Sequence, residues 1–232
     1  MSKNKQMLSN FIMTVGADRP TAGPVGIAQG VYGARGNLEL LACDRVDGLW
    51  VFWFNADGPD DPPSTAEVPP GQWSAGLFFA QGRRYVDAQI VQSTLGPDHL
   101  EVLALTEDGL LESWYWSPAP GFQKRRPDAA ASVARFRLSH RDGILFVDLE
   151  HRDGTSAVLS SGVAGYPDRV WRAVEGSGVV GDPFAESALR AQGITDVVPG
   201  TARSTQSTRD GGTTELVWRD RGGSIRHLGL RD

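Results

Sequence analysis

The chain has 232 residues, 40% of them hydrophobic, which is enough for a single all-β domain to bury a sizeable core. Its net charge of −5 and isoelectric point near 5.4 exclude a nucleic-acid binder of the usual kind, because neutralising phosphates takes a basic stripe and none is visible. A single cysteine, Cys43, cannot make an internal disulfide, and at the end of an apolar run it reads as a buried, inert thiol.

In chain order, Met1 to Gly16 carries two lysines ahead of MLSNFIMTVG. Ser9 and Asn10 interrupt its apolar part and no small-x-small cleavage site follows, so the expectation is a cytoplasmic protein, not an exported one. No run approaches a membrane span. Within this segment, residues 8–16 read as a strand.

From Gly23 to Phe54 three apolar runs, VGIAQGVYG, NLELLAC and LWVFWF, are separated by GARG and DRVDG, the punctuation of tight turns between antiparallel strands. The proline-rich, acidic stretch from Asn55 to Pro70 reads as an irregular excursion. Its Asp57, Asp60 and Asp61 match no standard calcium loop, and no metal is expected there. Gly71 to Gly82 (GQWSAGLFFAQG) reads as a fourth, outer strand.

Tyr85 to Trp116 repeats the pattern: Gln29, Gly33, Glu39, Gly48 and Trp53 fall opposite Gln92, Gly96, Glu101, Gly109 and Trp114. Ser117 to Pro127 reads as a loop whose Lys124, Arg125 and Arg126 are solvated, and Ala131 to Gly143 as the next outer strand. Gly143 to Val174 is a fainter copy without the glutamate, followed by Ala185 to Gly193 (AESALRAQG) as its outer strand. A fourth copy runs from Gly193 to Leu230, with Glu215 and Asp220 standing as Glu39 and Asp44 do.

A period of about sixty residues with four short strands per unit lies in the range of propeller blades. The expected fold is all-β, a four-bladed β-propeller closed by an N-terminal strand. The expected organisation is one domain over 1–232, with a clasp strand at 8–16 and repeats at about 23–82, 83–142, 143–192 and 193–232. The clasp supplies the outer strand that the last repeat lacks and leaves no open edge.

The segments QGVYGARGNLELLACDRVDGLWVFWF, VDAQIVQSTLGPDHLEVLA and WYW resemble the repeat of the bacterial fucose-binding lectin-like propellers, in which a glutamine, a Gly-Asn-Leu-Glu turn and an aromatic-Trp strand recur. The resemblance covers repeats one and two well, and three and four in outline. It implies a propeller fold and sugar binding.

No Walker loop, Gly-x-Ser-x-Gly elbow, Cys-x-x-Cys or His-Glu-x-x-His is present. Asp87, Asp148 and Asp196 each follow a glycine on a strand expected to line the axial channel, where crowded carboxylates raise one another's pKa enough for acid/base work. With His151, Asp87 and Asp148 form the catalytic set if the protein is an enzyme. The Arg-Asp-Gly triplets at Arg141, Arg152 and Arg209, two of them preceded by His140 and His151, read as hairpin turns. Glu39, Glu101, Glu215, Gln29 and Gln92 read as hydrogen-bonding links between repeats.

Sugar C–H faces stack on indole rings, so the ligand-binding candidates are Trp73 and Trp116, beside loops, together with Trp53 and Trp114 in positions that also suit packing between sheets. The leading function is cofactor-free binding of a small molecule or glycan, with no nucleic-acid or membrane partner. One alternative is a cofactor-independent lyase, hydrolase or cyclase of a small metabolite, favoured by the divergence of the last two repeats. The other is a scaffold for protein partners.

Overall fold

A computed structural model of the protein describes residues 12–62, 68–92, 99–162, 170–176, 178 and 180–231. They form four antiparallel sheets of four strands each. The first sheet is β2 (Thr21–Gln29), β3 (Asn37–Asp44), β4 (Leu49–Asn55) and β5 (Leu77–Phe79). The second is β6 (Tyr85–Gln92), β7 (Leu100–Thr106), β8 (Leu111–Ser117) and β9 (Gly121–Lys124). The third is β10 (Val133–Arg141), β11 (Ile144–His151), β12 (Ser156–Ser161) and β13 (Arg172–Val174). The fourth runs β14 (Arg203–Ser207), β15 (Thr213–Arg219), β16 (Ile225–Arg231) and finally β1 (Met13–Val15). Met13 pairs with His227 and Val15 with Ile225, so the N-terminal strand edges the fourth sheet beside the C-terminal strand. Residues 8–11 of the expected clasp lie outside the described residues.

One turn recurs between the second and third strands of every sheet. The amides of Asp44, Thr106, His151 and Asp220 each donate to the carbonyl four residues on, at 2.8–3.0 Å. Gly154 (φ 83°) and Gly223 (φ 89°) hold its left-handed position, where a side chain would strain the backbone. Counting back from this turn makes Glu39, Glu101, Phe146 and Glu215 equivalent. Counting across the hairpin makes Trp53, opposite Glu39, equivalent to Tyr115, opposite Glu101. The sequence pairing of Trp53 with Trp114 is therefore off by one residue, which in a strand turns a side chain to the other face.

Three further expectations change. Val133–Arg141 is the first strand of the third sheet and not the outer strand of the second; it pairs along its length with β11. The second sheet's outer strand is Gly121–Lys124, inside the stretch read as a loop. Ala185–Gly193 is not a strand: helix α1 (Pro183–Ala191) forms there. Its start is set by Asp182, whose side chain accepts from the Ala185 amide at 3.0 Å, and by Pro183 in the first turn. Ala185 and Leu189, one turn apart, are fully buried against Ala202, Leu216, Trp218 and Leu228 of the fourth sheet.

The sheets pack through apolar faces. Leu41, Cys43 and Val51 of the first meet Ala88, Ile90 and Val102 of the second. Leu103 and Leu105 of the second meet Phe136, Leu138 and Val147 of the third. Val15, Val217 and Ile225 of the fourth meet Val25, Ile27 and Phe52 of the first. Among the described residues no such apolar cluster joins the third sheet to the fourth, whose face turned away from the first sheet is covered by α1. No helix among them is long and apolar enough to cross a membrane.

Candidate functional site

The first strands of all four sheets line one cavity of about 400 Å3. β2 lies against β6 on one side and β14 on the other, and β6 lies against β10. Hairpin register sorts the lining into levels. Gln29, Gln92, His140 and Gln206 occupy one level, opposite Leu38, Leu100, Leu145 and Thr214 on their second strands. Three residues deeper stand Gly26, Gln89, Arg137 and Arg203, opposite Leu41, Leu103, Asp148 and Val217.

Most of the amides on this lining tie sheets together. Gln29 accepts from the Thr208 amide at 2.9 Å and donates to its hydroxyl at 2.8 Å, linking the first sheet to the fourth. Gln92 accepts from the Val31 amide at 3.2 Å, linking the second sheet to the first. Gln89 donates to the Phe136 carbonyl and accepts from the Leu138 amide, both at 2.9 Å. Its side chain thus takes the place of a peptide group between β6 and β10.

The boundary between the third and fourth sheets is different. Side chains alternate along a strand, so Arg137 and Ser139 project from the face of β10 opposite the buried Phe136 and Leu138. Across from them stand Ser204, Gln206 and Asp182, where the other boundaries have residues such as Ile27, Ile90 and Leu138. Asp182 is committed to structure: one oxygen caps α1, and the other accepts from the Ser204 amide and hydroxyl, each at 2.7 Å.

The residues proposed for acid/base chemistry are not assembled. Asp87 is buried on β6 beside Arg203 (3.5 Å) and the Gln89 amide (3.5 Å). Burial pushes its carboxyl up from the usual range and the Arg203 charge opposes that. Asp148 lies on the second strand of its sheet, not the first, in register with Arg137 and Val158. His151 stands at the far end of β11, in the hairpin turn, while His140 lies at the cavity. Asp196 is in the loop after α1, accepting from the Arg221 amide at 3.1 Å. The three Arg-Asp-Gly triplets are turns, with Asp142 and Asp210 at positive φ.

The four candidate tryptophans sit away from the cavity lining. Trp73 packs against Phe54 and His227 between the first and fourth sheets, its indole donating to His227 Nδ1 at 3.4 Å. Trp114 meets Phe79 edge-on and donates to Glu112 at 3.3 Å. Trp116 packs with Trp114 and Phe122 on the core between the first two sheets. Trp53 is half-buried on β4.

The three equivalent glutamates are buried, each in a different setting. Glu101 forms a two-pronged pair with Arg125, one prong 3.0 Å, and that guanidinium lies 4.6 Å over the Tyr115 ring. Arg125 is itself only 2% exposed, so the basic run read as solvated hides a core residue. The available signal was Glu101 itself, a charge inside an apolar strand that needs a partner. Glu215 accepts from Ser207 (2.7 Å), Arg209 (2.8 Å) and His227 Nε2 (2.8 Å). Burial would raise its carboxyl, but the bonds from His227 and Arg209 outweigh that and hold it down at about 2. Glu39 has Asn37 as its hydrogen-bonding neighbour, and burial pushes it up to about 8.

Burial likewise pushes the Cys43 thiol far up, in keeping with an unreactive core residue. Among the described residues no group of three or more His, Cys, Asp or Glu side chains is arranged to hold a metal ion. Asp57 and Asp61 instead engage Arg35, through its backbone amide at 3.0 Å and its guanidinium at 2.5 Å respectively.

No family model and no curated protein matches the chain. Among solved structures it is similar to the BP39L lectin from Burkholderia pseudomallei, at 15% sequence identity and a TM-score of 0.48, over 87% of this chain and 54% of the lectin. The chain spans about half the length of that lectin.

Proposed function

We propose that the chain is one domain, a four-bladed propeller closed by its N-terminal strand, and that its central cavity binds a small polyhydroxylated molecule such as a sugar, without a cofactor. The observation behind this is the break in symmetry around the cavity. Three of its four boundaries are sealed by apolar side chains, whereas the fourth opposes Arg137 and Ser139 to Ser204 and Gln206. A polar gap in an otherwise apolar ring weakens the assembly unless it recognises something.

The cavity's size, about 400 Å3, falls in the range of small-molecule sites. Its lining mixes amide, hydroxyl, imidazole and guanidinium groups and the Asp182 carboxylate with apolar side chains such as Ile27, Ile90 and Leu138, and has no aromatic ring besides His140. Such a lining recognises hydroxyls by hydrogen bonds and not by ring stacking.

The test is a thermal-shift screen of monosaccharides and small metabolites against the protein and a Ser139→Trp variant. Ser139 is half-buried on the cavity wall, and the added indole fills the gap. A stabilising ligand should lose its effect in the variant. The proposal fails if no panel member shifts the wild type, or if the shift survives the indole.

A further inference from the structure

Arg137 stands out at its level of the cavity because its three counterparts are engaged. Gly26 lets two strands approach, since a Cβ there would lie 2.9 Å from the Ala88 carbonyl oxygen. Gln89 is bonded to β10 through both ends of its amide. Arg203 donates to the carbonyls of Gly200 (3.0 Å) and Ala202 (2.9 Å) and pairs with Asp87 at 3.5 Å. Arg137 lines the same cavity with no hydrogen bond or ion pair among the described residues.

Among the described residues, nearby acids do not neutralise it. Asp182 accepts from three donors of its own segment and β14. Asp87 answers Arg203. Asp148, in register with Arg137, makes no ion pair with it, and its side chain lies close against Gly178. Among the described residues the cavity therefore presents one uncommitted guanidinium, a fork shaped for an oxyanion, flanked by Ser139 and His140 and across from Gln206, whose amide also bonds the Thr214 hydroxyl.

We infer that the ligand of this cavity is an acidic sugar, whose single carboxylate or phosphate is received by Arg137 while its hydroxyls meet Ser139 and Gln206. This rests on the reading of the cavity as a site for polyhydroxylated molecules. It adds that charge, and not shape alone, selects the ligand, because a concave wall focuses the field of an uncompensated cation.

Isothermal titration of the full chain with glucuronate, glucose 6-phosphate and methyl glucoside tests it. At least one acid should bind about tenfold more tightly than the neutral sugar, the gain of a charge-assisted pair over a neutral one. Arg137→Gln should remove that preference and Arg137→Lys should keep part of it. Both variants should melt with the wild type, since no hydrogen bond or ion pair among the described residues depends on the guanidinium. Tighter binding of glucuronate identifies a carboxylate ligand, and tighter binding of glucose 6-phosphate a phosphate; either supports the inference. Equal binding of acid and neutral sugars, or a preference that survives Arg137→Gln, overturns it and leaves sugar binding standing. Binding of none of the three overturns both.

Discussion

Glu39 and Glu215 hold the same register position on the second strands of their sheets, yet only Glu215 has a guanidinium and an imidazole against its carboxylate. Both side chains are buried, so the difference lies in their partners. Ionised Glu215 is stabilised where it sits, whereas ionised Glu39 is penalised.

Opposite pH responses follow for the two sites. Glu39 is raised from its ordinary 4.5 to about 8, so its contribution is fully present below 4.5 and is lost as the pH climbs through 8. Glu39→Gln removes that loss. The variant should melt higher than wild type at pH 8, by a stability gain on the order of 4 kcal/mol, and show no gain at pH 4. Thermal melts at the two pH values measure this, and an equal effect at both contradicts it.

Glu215 is held at about 2, so its contribution is present above 4.5 and lost as the pH falls through 2. Arg209→Met should cost about 2–3 kcal/mol at pH 7, because it leaves a buried carboxylate short of a partner. Urea titrations should find the gap between variant and wild type closing as the pH drops toward 2. A gap that does not depend on pH would mean that Arg209 acts by packing on Phe54 alone, 5.6 Å from its guanidinium.

Arg125→Met should be the more damaging change. Arg125 and Glu101 are both nearly inaccessible, and removing one member of such a pair costs about 3–5 kcal/mol. The double variant Arg125→Met with Glu101→Leu should recover most of that loss in urea denaturation, since apolar isosteres replace buried pairs well. Failure of the second change to rescue the first would show that the pair's remaining bonds matter more than its charges.

Trp116→Ala separates a ligand role from a structural one. Trp116 packs on the core between the first two sheets, so truncation should lower stability by about 3 kcal/mol and leave the ligand-induced thermal shift intact. Loss of the shift in a variant that still folds would return the binding site to the aromatic strands.

Much of the architecture was legible because turns and glycines mark it locally. The DRVDG turn, the apolar second strands and the N-terminal strand's likeness to an outer strand are local patterns, and each has its counterpart in the sheets. Reading failed where a tertiary partner decides. AESALRAQG contains good helix formers, but it is Asp182 and Pro183, just before it, that start a helix and the apolar face of the fourth sheet that buries it. Arg125 looked solvated because a basic run names no partner, and only the fold brings Glu101 to it. Glu39, Glu101 and Glu215 were legible as repeated, whereas Arg137 had no repeat to reveal it. Its distinction is the lack of the role its three counterparts have.

The most direct test of sugar binding in the cavity is a crystal structure of the protein with whichever sugar gives the largest thermal shift. The sugar should lie in the central cavity, between Ser139 and Arg137 on β10 and Gln206 on β14. A sugar stacked on Trp53, Trp73, Trp114 or Trp116, with the cavity holding none, would contradict it.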